Sequence, residues 1–282
     1  MSLTRGRWLV NIILVMMLIA FLGLFTFPLI ESVLKENQTS ATVSPGVTVT
    51  QLEEQSKGYE LVLLREPDNR TALKGLLDIR LQLGDLKRSV ELLEKLANMS
   101  PEQTDYMILL AQAKQQLGEI DAAANAYRAV LSSQPGNLNA LQGISSLFLQ
   151  QNRPEAAIGL LQDTLKTVNE LNSSQPGSID SISIQLLLGQ VYANEKRYTE
   201  ALTIYDEAGK SNPNDFRPLL AKAIVFQQLG KLSESKPLFN MAMTLAPAEY
   251  KDQIKQLSNS TPSPIPTPST PYLQKQPVKN KS

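Results

Sequence analysis

The chain has 282 residues, and its 27 Lys and Arg residues balance its 27 Asp and Glu residues. A formal net charge of zero argues against a general nucleic-acid binder, which needs an excess of basic side chains. The chain contains neither Cys nor His, which excludes disulfides and removes the commonest metal ligand and the commonest general base. An enzyme would have to rely on carboxylates, Lys or Tyr. We therefore expect a non-enzymatic protein with no cofactor, metal ion or small-molecule substrate.

Residues 8–30 form an uncharged apolar segment, WLVNIILVMMLIAFLGLFTFPLI. As a helix this segment would extend about 34 Å, enough for a hydrocarbon core of about 30 Å. A cleaved signal peptide is the alternative, but its apolar region would cover roughly 7–15 residues and precede a small-x-small cleavage site. The length and the missing cleavage pattern predict an uncleaved transmembrane anchor.

Arg5 and Arg7 precede this segment, whereas only Lys35 follows it closely. The positive-inside rule then places residues 1–7 in the cytoplasm. We expect the rest of the chain on the periplasmic or lumenal side of a plasma or thylakoid membrane. Residues 31–49 are polar and contain Ser, Thr, Pro and Gly, which predicts a flexible linker.

The centre of the chain repeats with a period of 34 residues. Gly84 and Gly118 are 34 residues apart, and so are Pro101 and Pro135. Paired helical patterns at this period are typical of tetratricopeptide repeats. On these residues, and on motifs such as Leu188-Gly189-x-x-Tyr192, the chain resembles the tetratricopeptide family over residues 50–258. The resemblance implies an all-α, right-handed superhelical solenoid.

We predict five helix-turn-helix units, at 70–103, 104–137, 138–171, 182–215 and 216–249. Ten extra residues separate the third and fourth units and predict a lengthened helix followed by a loop at 172–179. Residues 50–65 and 248–258 are predicted to be lone capping helices, because the end of a solenoid has no neighbour to bury it.

Recurrent turns separate the predicted helices. In NPNDFRP at 212–218, Pro213 ends one helix and Asp215 is the expected N-cap of the next. Glycines at the equivalent point of three units are expected to take positive φ where the first helix ends; they are Gly84, Gly118 and Gly230. Small residues should let the helices approach closely, and aromatic residues should fill the space between units; these are Ala123, Ala157 and Ala201, and Tyr127, Tyr205 and Phe239.

The C-terminal residues 259–282 contain six prolines, at 262, 264, 266, 268, 271 and 277. This spacing excludes helix and central strand and predicts a disordered tail with polyproline II bias. Its last residues include three Lys and no acid. The tail is either a solvated terminus or a docking segment for a partner or an anionic surface.

Two stretches, 72–96 and 212–235, resemble the SLOW GREEN 1 family of plastid tetratricopeptide proteins. The turn NP-x-DFRP within 212–218 is more specific than a tetratricopeptide repeat requires. That family is implicated in chloroplast development and pigmentation, so the resemblance implies a photosynthetic membrane. Residues 1–7 are too short for a plastid transit peptide, and we expect a cyanobacterial relative.

The tetratricopeptide resemblance also implies a concave face built from the first helix of each unit. Its inward-facing positions are Lys74, Asp78, Gln112, Gln116, Gln142, Ser146, Gln150, Gln190, Asn194, Arg217, Gln227 and Gln228. These side chains are mostly neutral amides, which can both donate to and accept from the backbone of an extended peptide. The alternative is that Gln, a good helix former, simply fills solvent-exposed positions.

Chaperone-docking tetratricopeptide proteins bind an acidic C-terminal tail with a clamp of Lys, Asn and Arg. Here Asp78 stands where the resemblance would place the clamp asparagine, and a carboxylate would be repelled there. We predict a membrane-anchored scaffold that binds a protein or peptide client, an assembly or biogenesis factor for membrane complexes. The alternative is a structural envelope protein that self-associates without a specific client.

Overall fold

The computed structural model describes residues 48–175 and 177–260, and these residues form twelve α-helices and no strand. The predicted cytoplasmic end, the anchor and nearly all of the linker, within residues 1–47, lie outside the described residues, as does the predicted tail from residue 261. In the described ranges, every helix is too short or too polar to cross a bilayer.

The chain divides into two compact units after Glu119. The first unit contains α1 (Val49–Arg65), α2 (Arg70–Gln82), α3 (Leu86–Met99) and α4 (Thr104–Gln116). Each of its helices packs against the next along the chain. Its core is formed by buried side chains of α2, α3 and α4, among them Leu73, Leu93 and Leu109.

The second compact unit contains eight helices. They are α5 (Ile120–Ser133), α6 (Leu138–Gln150), α7 (Pro154–Ser174), α8 (Ser181–Asn194), α9 (Tyr198–Ser211), α10 (Phe216–Gln228), α11 (Leu232–Leu245) and α12 (Ala248–Asn259). Consecutive helices pack against one another, and α8 also contacts both α6 and α10. The first helices of three successive hairpins therefore lie side by side.

Asn and Asp side chains begin most of the first helices. Asn69 and Asn137 accept hydrogen bonds from the N–H group of the third residue of their helices, at 3.0 and 3.1 Å. Asp215 caps α10 as predicted, because its carboxylate accepts from the Arg217 N–H at 2.9 Å. Each cap satisfies a backbone donor that the first helical turn leaves unpaired.

The turn after each first helix requires a left-handed backbone. Gly84, Gly118 and Gly230 have φ of 71°, 79° and 71°, which confirms the prediction for these three glycines. In the other two hairpins Asn152 and Lys196 occupy the equivalent position with φ of 56° and 60°. The turn geometry is therefore kept even where the glycine is replaced by a residue that adopts it less readily.

Aromatic side chains lie directly against glycines of neighbouring helices. Tyr127 of α5 covers Gly143 of α6, and Tyr205 of α9 covers Gly189 of α8. A Cβ at Gly189 would lie only 2.3 Å from Cε1 of the Tyr205 ring. Ala201 next to this contact is fully buried. The close approach of the helices thus depends on missing side-chain atoms at these positions.

We expect Gly189→Ala to lower the free energy of unfolding by about 1–3 kcal/mol, because the new methyl group overlaps the buried Tyr205 ring. Gly159 of α7 is a matched control, since a Cβ there meets nothing within 4 Å. Gly159→Ala should instead stabilise by about 0.5–1 kcal/mol by improving helix propensity. Urea unfolding measures both values, and equal effects of the two substitutions would contradict the close contact.

The insertion between the third and fourth predicted units lengthens a helix and then folds back. Helix α7 has 21 residues and continues to Ser174, so the predicted loop boundary at 172 was placed too early. Asn172 holds the following turn: its amide donates to the Ile179 carbonyl at 2.9 Å and accepts from the Ile179 N–H at 3.0 Å. Ile179 in turn packs on Gly136.

Helix α1 begins at Val49, just inside the segment predicted as linker. Thr48 and Gln51 form a reciprocal capping box, in which the Thr48 N–H donates to the Gln51 side chain at 2.9 Å and the Thr48 hydroxyl accepts from the Gln51 N–H at 3.3 Å. At the other end, α12 includes Asn259, the first residue of the predicted tail.

Candidate protein-interaction face

Three adjacent first helices of the second compact unit form a nearly uncharged surface. Neither α6 nor α8 contains a charged residue. The two cations of α10 are neutralised locally, because Lys222 pairs with Asp206 of α9 and Arg217 pairs with Asp215. A partner on this surface would therefore be recognised by hydrogen bonds and shape rather than by its charge.

Four predicted glutamines reach the surface of these helices. Gln150 is exposed, and Gln142, Gln190 and Gln228 are partly exposed. We call these four residues the amide face. A glutamine side chain carries both donor and acceptor groups, so the amide face has the chemistry to match the backbone of an extended chain.

Gln227 was also predicted to face a client, and this prediction needs correction. Its side chain is buried, and its amide donates to the carbonyls of Leu257 and Ser260, both at 3.0 Å. Gln227 therefore attaches the end of α12 to the end of α10. It holds the fold together rather than presenting an amide to a partner.

Two further predicted residues contribute little exposed surface. Ser146 is 7% exposed, and its hydroxyl accepts from Gln150 at 3.4 Å. The side-chain amide atoms of Asn194 are shielded from solvent and have no hydrogen-bond partner. Asn194 therefore offers no exposed amide to a client.

Arg217 is held by its own chain rather than offered to a client. Its guanidinium donates to Asp215 Oδ2 from Nε at 2.9 Å and from Nη2 at 2.6 Å. Its Nη1 donates to the Ser183 hydroxyl at 2.7 Å and to Asp180 at 3.2 Å. Arg217 therefore links the N-terminal ends of α8 and α10.

Charge and burial act in opposite directions on Asp180. Burial alone raises the pKa of its carboxyl, but hydrogen bonds from Ser183 and the positive charge of Arg217 together outweigh burial. The pKa of Asp180 is therefore lower than that of an ordinary aspartate. The carboxylate stays ionised and keeps Arg217 in place at neutral pH.

The first compact unit contains the remaining predicted face residues. The ammonium group of Lys74 lies 5.7 Å from the centre of the Tyr106 ring, and Asp78 accepts from Gln82 at 2.9 Å. Gln112 is partly exposed and Gln116 is exposed. Lys74 and Asp78 thus have partners within this unit, while the two glutamines of α4 resemble those of the amide face in chemistry.

Three successive hairpins share a contact between a cation and an aromatic ring that the sequence-based predictions do not include. A cation lies over an aromatic ring five residues earlier in three successive hairpins: Arg153 over Phe148, Arg197 over Tyr192 and Lys231 over Phe226. The spacing of five residues repeats with the hairpins and could have been read from the sequence. Cation–π contacts of this kind stabilise the turn between the two helices of each hairpin.

A cavity of about 580 Å³ lies where the insertion meets the α5–α6 turn. It is lined by polar groups such as Ser133 and Ser178 and by apolar groups such as Leu171 and Ile179. Across the described part of the chain, no three His, Cys, Asp or Glu side chains are grouped to hold a metal ion.

The described helices form successive hairpins whose turns have a left-handed residue at the same point. Residues 108–171 and residues 182–215 each match a family model described as tetratricopeptide repeat. The chain thus contains tetratricopeptide repeats, as its 34-residue period predicted. Such repeats mediate interactions between proteins.

The chain is similar to SLOW GREEN 1, a chloroplastic protein of Arabidopsis thaliana, with 26% identity over 216 residues that cover 74% of this chain and 67% of that protein. It is also 26% identical to cellulose synthase operon protein C of Pseudomonas fluorescens over 146 residues, 49% of this chain but 11% of the relative. Among solved structures, yeast Tom70 matches 82% of this chain and 45% of its own, with 15% identity and a TM-score of 0.51. This last likeness concerns the fold alone.

Proposed function

We propose that the protein is a membrane-anchored scaffold whose amide face holds an extended, uncharged segment of a client protein. Two neighbouring helices without any charged residue, α6 and α8, are the observation that favours this function. A charged segment would lose its hydration there without gaining an opposite charge, whereas a neutral backbone would exchange water for glutamine amides.

The proposed place of action is the periplasmic or lumenal side of a photosynthetic membrane. The apolar segment 8–30 and the preceding Arg5 and Arg7 support anchoring with the N-terminus in the cytoplasm. Similarity to a chloroplastic protein supports a role in assembly or biogenesis of photosynthetic membrane complexes. On this proposal the chain is cyanobacterial and non-enzymatic, and its client is a protein rather than a nucleic acid.

We expect four substitutions on the amide face to abolish client recovery while leaving the helices intact. Replacing Gln142, Gln150, Gln190 and Gln228 by Glu adds four negative charges to one surface, and Glu is also a good helix former. Since an exposed hydrogen bond contributes only about 0.5–1.5 kcal/mol, all four sites should be changed together. Purification of the full chain from its native membrane, followed by mass spectrometry, measures the client.

A matched control places the same four charges on second helices. Asn125, Asn169, Thr203 and Asn240 are all exposed and lie on α5, α7, α9 and α11. Their replacement by Glu should leave client recovery and circular dichroism unchanged. Equal recovery with the amide-face variant and this control would show that clients bind elsewhere, with the cavity beside Ile179 as the next candidate.

Self-association without a client is the second candidate function. It is favoured by two leucines on α1, Leu61 and Leu64, which are 63% and 79% exposed. Exposed apolar side chains of this kind can mark a contact with another copy. A scaffold with a client should sediment with that client, whereas a self-associating protein should form oligomers from the purified chain alone.

A further inference from the structure

The structure fixes the point at which the chain leaves the second compact unit. Gln227, next to last in α10, donates to the Ser260 carbonyl at 3.0 Å. The Gln227 side chain is buried, so water does not compete strongly for this hydrogen bond. The chain after Ser260 therefore starts near the C-terminal end of α10, whose last residue is Gln228 of the amide face.

The sequence that follows has the chemistry that the amide face favours. From Ser260 to Gln274 it reads STPSPIPTPSTPYLQ, which contains no charged residue. Five of these residues are Pro, which keeps its carbonyl acceptor but has no N–H donor. The segment thus offers more backbone acceptors than donors, and glutamine side chains can supply the missing donors.

The distances also allow the segment to cross the face. Helix α10 contacts α8, and α8 contacts α6. Neighbouring helix axes lie about 8–10 Å apart, so the path from α10 to α6 is on the order of 20 Å. A proline-rich extended chain covers about 3.1 Å per residue, so roughly seven residues reach α6. The uncharged segment is longer than this path, and its first Lys, Lys275, falls beyond it.

We propose that residues 261–274 occupy the amide face of their own chain until a client displaces them. Covalent attachment gives such a segment a millimolar effective concentration, so even weak docking would fill the face. A client must then compete with it, and its apparent affinity falls in proportion to the fraction of occupied faces. The displacement step depends on the proposed function, whereas the docking step does not.

Disulfide trapping tests the docking step in the full chain, which has no native Cys. One variant combines Thr267→Cys with Gln190→Cys on α8. The control combines Thr267→Cys with Asn240→Cys, an exposed position on α11, which itself contacts α12. Under mild oxidation we expect the Gln190 pair to form its disulfide at least about tenfold faster than the Asn240 pair. Equal rates, or a faster control, would overturn the proposal.

Removal of residues 261–282 tests the displacement step. The chain ending at Ser260 should recover more client than the full chain, and a synthetic peptide of residues 261–274 should bind the shortened chain at least about tenfold more tightly than the full chain. Unchanged client recovery after truncation would overturn displacement. Equal trapping rates together with loss of client in the four-Glu variant would reject docking and leave the proposed function standing. Faster disulfide formation by the Gln190 pair, with no client recovered from the membrane, would support docking and reject the proposed function.

Discussion

Tyr127→Ala is expected to lower the free energy of unfolding by about 3–5 kcal/mol. The Tyr127 side chain is 1% exposed, and its ring lies so close to Gly143 that a Cβ there would be 2.2 Å from the ring carbon Cζ. Removing the ring leaves a cavity between α5 and α6, and the glycine has no side chain to fill it. Urea unfolding monitored by circular dichroism measures the change.

Tyr127→Phe is the matched control, since it keeps the ring and should lose much less stability.

Tyr127→Phe also removes the phenol hydroxyl, whose ionisation makes the free energy of unfolding depend on pH. Burial raises the pKa of the Tyr127 phenol above its ordinary value. The unfolded chain releases this proton near pH 10 while the folded chain keeps it, so the associated stability is complete below pH 10 and declines at higher pH. A loss of less than about 1 kcal/mol in Tyr127→Ala would contradict the packing described for this ring.

The repeat architecture could be predicted because several kinds of residue agreed in one register. Gly84, Gly118 and Gly230 mark a turn that needs positive φ, and each has it. The buried alanines and aromatic rings follow the same period, and Ala123 and Ala201 are both fully buried. Local backbone requirements and close packing restrict residue types strongly, so they leave a readable pattern in a single sequence.

The uses of the polar residues could be predicted less well. Gln227 sits at a position that the family's geometry assigns to the binding face, yet it binds the end of α12. Helix α12 lies outside the repeats, so the 34-residue period could not predict its contact with Gln227. Asn172 was likewise unremarkable in the sequence, although its amide organises the turn around Ile179. A long polar side chain can reach several hydrogen-bond partners, and the packing of the surrounding residues decides which of them it contacts.

Arg217 is the clearest case of such a choice, because it was assigned to the client and instead bridges two hairpins. We expect Arg217→Met to lower the free energy of unfolding by about 3 kcal/mol, since it leaves the carboxylate of Asp215, 8% exposed, without its cation. Asp215→Asn keeps the N-cap of α10 and removes the charge. The double variant should therefore be more stable than Arg217→Met alone, and additive losses would contradict the pairing.

The same bridge should weaken in acid, and the sign follows from the lowered pKa of Asp180. A group whose pKa is lower in the folded chain adds stability above its unfolded value, near pH 4, and loses it as the pH falls through the folded value. The wild-type chain should thus lose its advantage over Arg217→Met progressively below about pH 4, as Asp180 takes up its proton. Because about half of the Asp180 side chain is exposed, solvent screens this contribution, which we expect to be at most about 1 kcal/mol. Unfolding of both chains across the acid range measures it, and a stability difference that grows at low pH would show that Asp180 does not hold Arg217.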